Sequence, residues 1–180
     1  MGYRFLPCLF NELVDFVEVE LAWWHIAWAD KEAKAKYKAP FWASGWFRWR
    51  TWRCPEAGLD NLKWQMDLVW EEDHCAPGSK NIGKPTPQAI NAKEIFDLYH
   101  WWKEVYPNRP DPHDASGWSA HCEQRRTESG GLWDWEDRTP AERKKTKKML
   151  DITRKLELQY DREDEQMMIR LIKIRDSLWT

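Results

Sequence analysis

The chain has 180 residues, a formal net charge of −2, 42% hydrophobic and 32% charged residues, and 15 tryptophans. That length and balance suit one globular domain with a core of its own. They exclude a disordered chain, a strongly basic nucleic-acid binder and an acidic nucleic-acid mimic, and no apolar run approaches the roughly 18 residues of a membrane span.

The first predicted element is a helix over 7–38. Phe10, Leu13, Val14, Val17, Leu21, Trp24 and Trp28 recur on one face, Trp23 and Ala27 widen it, and Pro40 ends it. Residues 41–72 form a Trp-rich segment and a helix. The run FWASGWFRWRTWR fits a short helix or a strand, and we favour a helix. Pro55 opens the following helix, with Leu59, Leu62, Met66, Val69 and Trp70 inward. A loop with several Pro and Gly leads to a third helix over 92–106, capped by Asn91 with Glu94 three residues on.

Residues 107–137 form a long connection punctuated by Pro and Gly. It is too long to be structureless in a compact domain, so a short helix is expected near 114–127, begun by Asp114 or Ser116. Thr139-Pro140-Ala141-Glu142 is a capping box that opens a last helix over 140–178. Its stripe runs Met149, Ile152, Leu156, Tyr160, Glu163, Met167, Leu171, Ile174, Leu178. Met168, Ile169 and Ile172 form a second apolar face, which predicts a neighbour from another subunit and hence a homo-oligomer. The fold class expected is all-α: one compact helical domain, 1–180, with three or four main helices, a long partly ordered connection and a long C-terminal helix.

No catalytic constellation stands out. Gly78–Lys84 has phosphate-loop spacing up to its lysine. Pro85 replaces the magnesium-binding hydroxyl, however, and no strand leads in, so the match is a decoy. His74-Cys75 and His121-Cys122 repeat a dipeptide, but adjacent residues diverge and zinc asks for about four converging ligands. No metal, cofactor or catalytic residue is therefore assigned. The four cysteines are expected to be reduced and structural, and with no signal peptide the expected location is cytoplasmic.

The strongest functional signal is arginine interleaved with tryptophan. Indoles stack on bases and guanidinium groups grip phosphate. Arg48, Trp49, Arg50, Trp52 and Arg53 make one such set; Arg109, His113, Trp118 and Arg125 make a second, around the connection. Together they are the candidate ligand-binding residues for a small nucleotide-like molecule. The alternative is a structural Arg–Trp pairing that leaves a protein-interaction surface.

Several runs carry a resemblance: Leu98-Tyr99-His100-Trp101-Trp102-Lys103, Arg109-Pro110-Asp111-Pro112, Ser116-Gly117-Trp118, Arg138-Thr139-Pro140-Ala141-Glu142-Arg143, Glu163-Asp164-Glu165-Gln166-Met167 and Arg170 to Thr180. Across about residues 88–180 the chain resembles a family of small uncharacterised tailed-bacteriophage proteins. The resemblance implies no active-site residue. It implies an accessory protein of the bacterial host cytoplasm, most naturally a non-enzymatic sponge for a nucleotide-derived host immune signal. The alternatives are a virion or host-protein interaction component and an enzyme degrading the same signal.

Overall fold

A computed structural model describes residues 5–29, 31–42, 52–74, 80–129 and 139–178. The fold is all-α. Its described helices are α1 (Phe5–Asp15), a wide π turn π1 (Phe16–Leu21), α2 (Ala22–Ala27), α3 (Lys31–Lys36), α4 (Pro55–Met66), α5 (Pro87–His100), a second π turn π2 (Trp101–Val105), α6 (Pro112–Ala115), α7 (Trp118–Ser129) and α8 (Pro140–Lys173). An isolated antiparallel bridge joins Val69 and Pro85. The chain divides into two compact units, residues 1–106 with 167–180, and residues 107–166.

In the first unit, Leu6, Phe10, Leu13, Val14, Val17 and Leu21 pack with Leu62, Ile95, Leu98, Trp101, Leu171 and Ile174. The expected helix 7–38 departs from a single α-helix in two ways. It stops at Ala27 and resumes at Lys31, and π1 lies within it. A π turn takes up one residue more than an α turn, which rotates everything downstream by about 100°. The inward positions after π1 therefore become Ala22 and Ile26, both buried. Trp24 and Trp28, predicted inward, are exposed instead, Trp28 by 81%. Trp64, which core packing would also explain, is 59% exposed. Among the described tryptophans only Trp101 is buried.

The widened turn also lets α4 come close. Cys54 donates its N–H to the Glu18 carbonyl at 2.8 Å. Pro55 then opens α4 as expected. A Cβ added at Gly58 would lie 1.9 Å from the Val17 carbonyl oxygen, so only glycine permits this crossing. The helix ends at Met66, short of the expected Val69 and Trp70.

The expected Asn91 cap is corrected. α5 begins at Pro87, and the Thr86 hydroxyl accepts the Ala89 N–H at 3.1 Å. Thr86 wins because Pro87 has its φ preset for a first helical position. Asn91 and Glu94 are used elsewhere: Asn91 donates to Ser177 Oγ at 2.7 Å, on the turn beyond α8, and Arg170 of α8 grips Glu94 with bonds of 2.7 and 3.0 Å.

In the second unit the described part of the connection carries α6 and α7. Asp111 caps α6, accepting from the N–H groups of His113 and Asp114. At the head of α7, the helix expected near 114–127, Ser116 Oγ accepts from the Trp118 N–H at 3.3 Å. The capping box of α8 forms as predicted. Glu142 accepts from Thr139 N–H at 2.9 Å, and Thr139 Oγ1 accepts from Glu142 N–H at 3.2 Å. The α8 stripe is turned inward along its length, with Met149, Leu171 and Ile174 buried, while Ile169 and Ile172 remain exposed. The helix ends at Lys173 rather than near Leu178, giving way to a 3₁₀ turn at Arg175–Ser177.

Candidate functional site

Glu18 sits on π1 in the apolar run Phe16-Val17-Glu18-Val19, and is only 2% exposed. Val17 and Val19 beside it are apolar and Glu20 is another acid, so only cross-element donors can meet the carboxylate. Tyr99 O–H donates at 2.8 Å, Lys103 Nζ at 2.9 Å and Arg53 Nη1 at 3.0 Å. Arg53 also pairs with Asp15. Burial pushes the Glu18 carboxyl up, but the hydrogen bonds from Lys103, Tyr99 and Arg53 outweigh it and hold it below its ordinary value. Tyr99, buried and donating to that carboxylate, is held above its ordinary value. Lys103 lies on π2, so the two π turns are bridged by one ion pair. The cluster is internally satisfied, and its chemistry is that of a clamp rather than of an acid–base pair.

A second polar group ties α2, α3 and α4. Tyr37 O–H donates to Asp60 Oδ2 at 2.7 Å, and Lys36 Nζ donates to the same oxygen at 2.7 Å. Because the Tyr37 proton is committed, the 3.1 Å contact to His25 requires the His25 Nε2–H to donate. The bonds from Lys36 and Tyr37 hold Asp60 down at about 2. Burial keeps His25 below its ordinary value.

Outside the clamp, the α2 surface carries Trp24 and Trp28, their planes 6° apart and centroids 6.5 Å apart, with Trp23 edge-on to Trp24 at 5.0 Å. Lys31 and Lys38 follow in the sequence and are exposed. Lys38 closes α3 in the left-handed region, φ 51°. Its N–H donates to Ala35 O at 3.1 Å, and that of Ala39 to Lys34 O at 3.2 Å.

The predicted ligand residues fall in different places. Arg48, Trp49 and Arg50 lie outside the described residues, as do Cys75 and the start of the Gly78–Lys84 loop. Within that loop, the Gly83 N–H donates to Trp70 O and the Lys84 N–H to Asn81 O, each at 2.9 Å. Trp52 packs against Ala22, Ile26, Tyr37, Cys54 and Ala57, and Arg53 belongs to the Glu18 clamp. Arg109, His113, Trp118 and Arg125 belong to the second unit. Arg109 is 12% exposed at its side chain, bound to Asp164 at 2.6 Å and Glu163 at 3.1 Å. It also stacks on the Tyr160 ring with its guanidinium 5.0 Å from the centroid. His113 is exposed; Trp118 lies 5.9 Å from the His121 ring. Arg125 lies near the Cys122 thiol, whose burial pushes it up more than that charge pulls it down.

Among the described residues no three His, Cys, Asp or Glu side chains converge to hold a metal, and no helix is long and apolar enough to cross a membrane. The sequence reading missed Glu18. Its signal was an acid flanked by Phe16, Val17 and Val19 within an apolar stretch, where a carboxylate survives only with partners. No protein family matches the chain, and neither a curated protein nor a solved structure is significantly similar to it.

Proposed function

We propose that this chain is a non-enzymatic binding protein that engages a protein partner through an aromatic and basic face, one of the alternative roles implied by the resemblance of residues 88–180 to uncharacterised phage proteins. The observation that carries the reading is the outward pair Trp24 and Trp28, parallel and exposed, followed within three residues by the lysine-bearing helix α3. Trp28, 81% exposed, buries little surface in the fold. At interfaces tryptophan is over-represented among the residues that dominate binding. Lys31, Lys34 and Lys38 favour a partner whose apolar knob is bordered by acidic residues.

A nucleotide-derived signal has less support as the ligand. Arg53 and Arg109 are held by carboxylates, and a phosphate would have to displace Asp15 and Glu18 from one and Asp164 and Glu163 from the other.

The test compares wild type with Trp24→Ser/Trp28→Ser and with Lys31→Glu/Lys34→Glu as bait in bacterial lysate, with and without phage infection. The expected result is a protein retained by wild type, released as salt rises, and lost from both variants while their circular dichroism and melting stay unchanged. Retention indifferent to both pairs of substitutions would overturn the reading. So would a nucleotide recovered intact after heat-denaturing the purified protein, with no such partner.

A further inference from the structure

A cavity of about 370 Å³ opens in the first unit, where π1, α4, α5 and the last 3₁₀ turn meet. Phe16, Leu21 and Ile95 give it apolar walls, and Gln65, Gln88, Asn91 and Ser177 give it polar ones. Its lining has no ionisable side chain. The volume lies at the small end of ligand sites, roughly 300–1,000 Å³.

The hydrogen bonds already made determine what Asn91, Ser177 and Gln65 offer. Asn91 Nδ2 donates to Ser177 Oγ at 2.7 Å. The Ser177 hydroxyl proton is then left to donate, and Asn91 Oδ1 is left to accept, side by side. Gln65 Nε2 donates to Asn61 Oδ1 at 2.6 Å, which leaves Gln65 Oε1 as a second acceptor. An O–H donor next to a carbonyl acceptor complements a group that carries N–H beside C=O. With apolar walls and no charge, such a group would sit in a neutral, flat molecule.

We propose that this cavity binds a neutral planar molecule through an amide edge, the edge shared by a pyrimidine nucleobase and an aromatic carboxamide. Nothing in the lining would hold a phosphate, so a free base or nucleoside binds at least as well as its nucleotide.

Uracil and nicotinamide, titrated separately against the full chain by saturation-transfer and protein-observed NMR, represent the two sources of that edge. Saturable binding of either is the expected result, with 1,3-dimethyluracil, which keeps the ring and both carbonyls but carries methyl groups in place of both N–H hydrogens, at least tenfold weaker than uracil. Asn91→Leu and Ser177→Ala should each weaken binding about tenfold. Ser177→Ala, on the terminal turn, serves if Asn91→Leu does not fold. No saturable binding of either probe up to its solubility overturns the proposal. Binding unchanged by methylation of the probe, or unchanged by the variants that fold, overturns it equally.

Discussion

At the scale of single residues, the ionised side chains of the first unit act as clamps. Glu18 is retained in an apolar turn because three donors meet it, two of them cations that stay partly in water. Removing one partner of a buried charge costs far more than forming the pair gains. Asp60 gives the cleanest pH signature. Its folded value of about 2 lies below its ordinary 3.8. A depressed carboxylate contributes stability above the unfolded value and loses it as pH falls through the folded one. Asp60→Asn should therefore lower stability near pH 6 by about 1–2 kcal/mol, allowing for screening at exposed Lys36. That deficit should close between about pH 4 and pH 2. Urea denaturation of both proteins across this range measures it, and a deficit constant with pH would refute the assignment to the Asp60 charge. His25 acts in the same sense at higher pH: its folded value is lowered too, so protonation below its ordinary 6.5 opposes folding.

At the scale of elements, the π turn governs the packing of α4. A Gly→Ala change on an open helix surface gains up to about 1 kcal/mol. At Gly58 the added Cβ would meet the Val17 carbonyl at 1.9 Å, so Gly58→Ala should cost about 3 kcal/mol or more, read from the denaturant midpoint. The changed sign is the diagnostic. What was legible in the sequence divides along the same line. The α8 stripe, its Thr139–Glu142 box and Pro55 at the head of α4 were readable because caps and 3.6-residue periodicity are local. The phase of α2 was not, because a period carried through Phe16–Leu21 takes no account of a wider turn. Nor was the cap of α5: Asn91 and Glu94 have capping spacing but are used by Ser177 and Arg170, far along the chain. Glu163, an acid in an apolar stripe, marked its own exception, and its partner proved to be Arg109.

At the scale of the molecule, the two compact units bear on how the chain opens. In the second, Arg109 joins the connection to α8 through Asp164, Glu163 and Tyr160, and Thr153 donates to Ser116 Oγ at 2.8 Å. Arg109→Leu should speed hydrogen exchange at least tenfold across α7 and residues 145–165, leaving α5 as protected as in wild type. Equal acceleration in α5 would mean that the chain opens as one cooperative body. The candidate binding residues were only partly legible at this scale. Composition pointed to surface tryptophan, but pairing with acids decides which arginines are available, and Arg53 and Arg109 are both engaged. The phase shift at Phe16–Leu21 has a consequence for how this chain should be compared with others. Delete one residue there and a regular α-helix would turn Trp24 and Trp28 back toward the interior. A gap of one codon at that point in an aligned sequence would therefore separate proteins that display the indole pair from those that hide it, however similar the rest of their sequences.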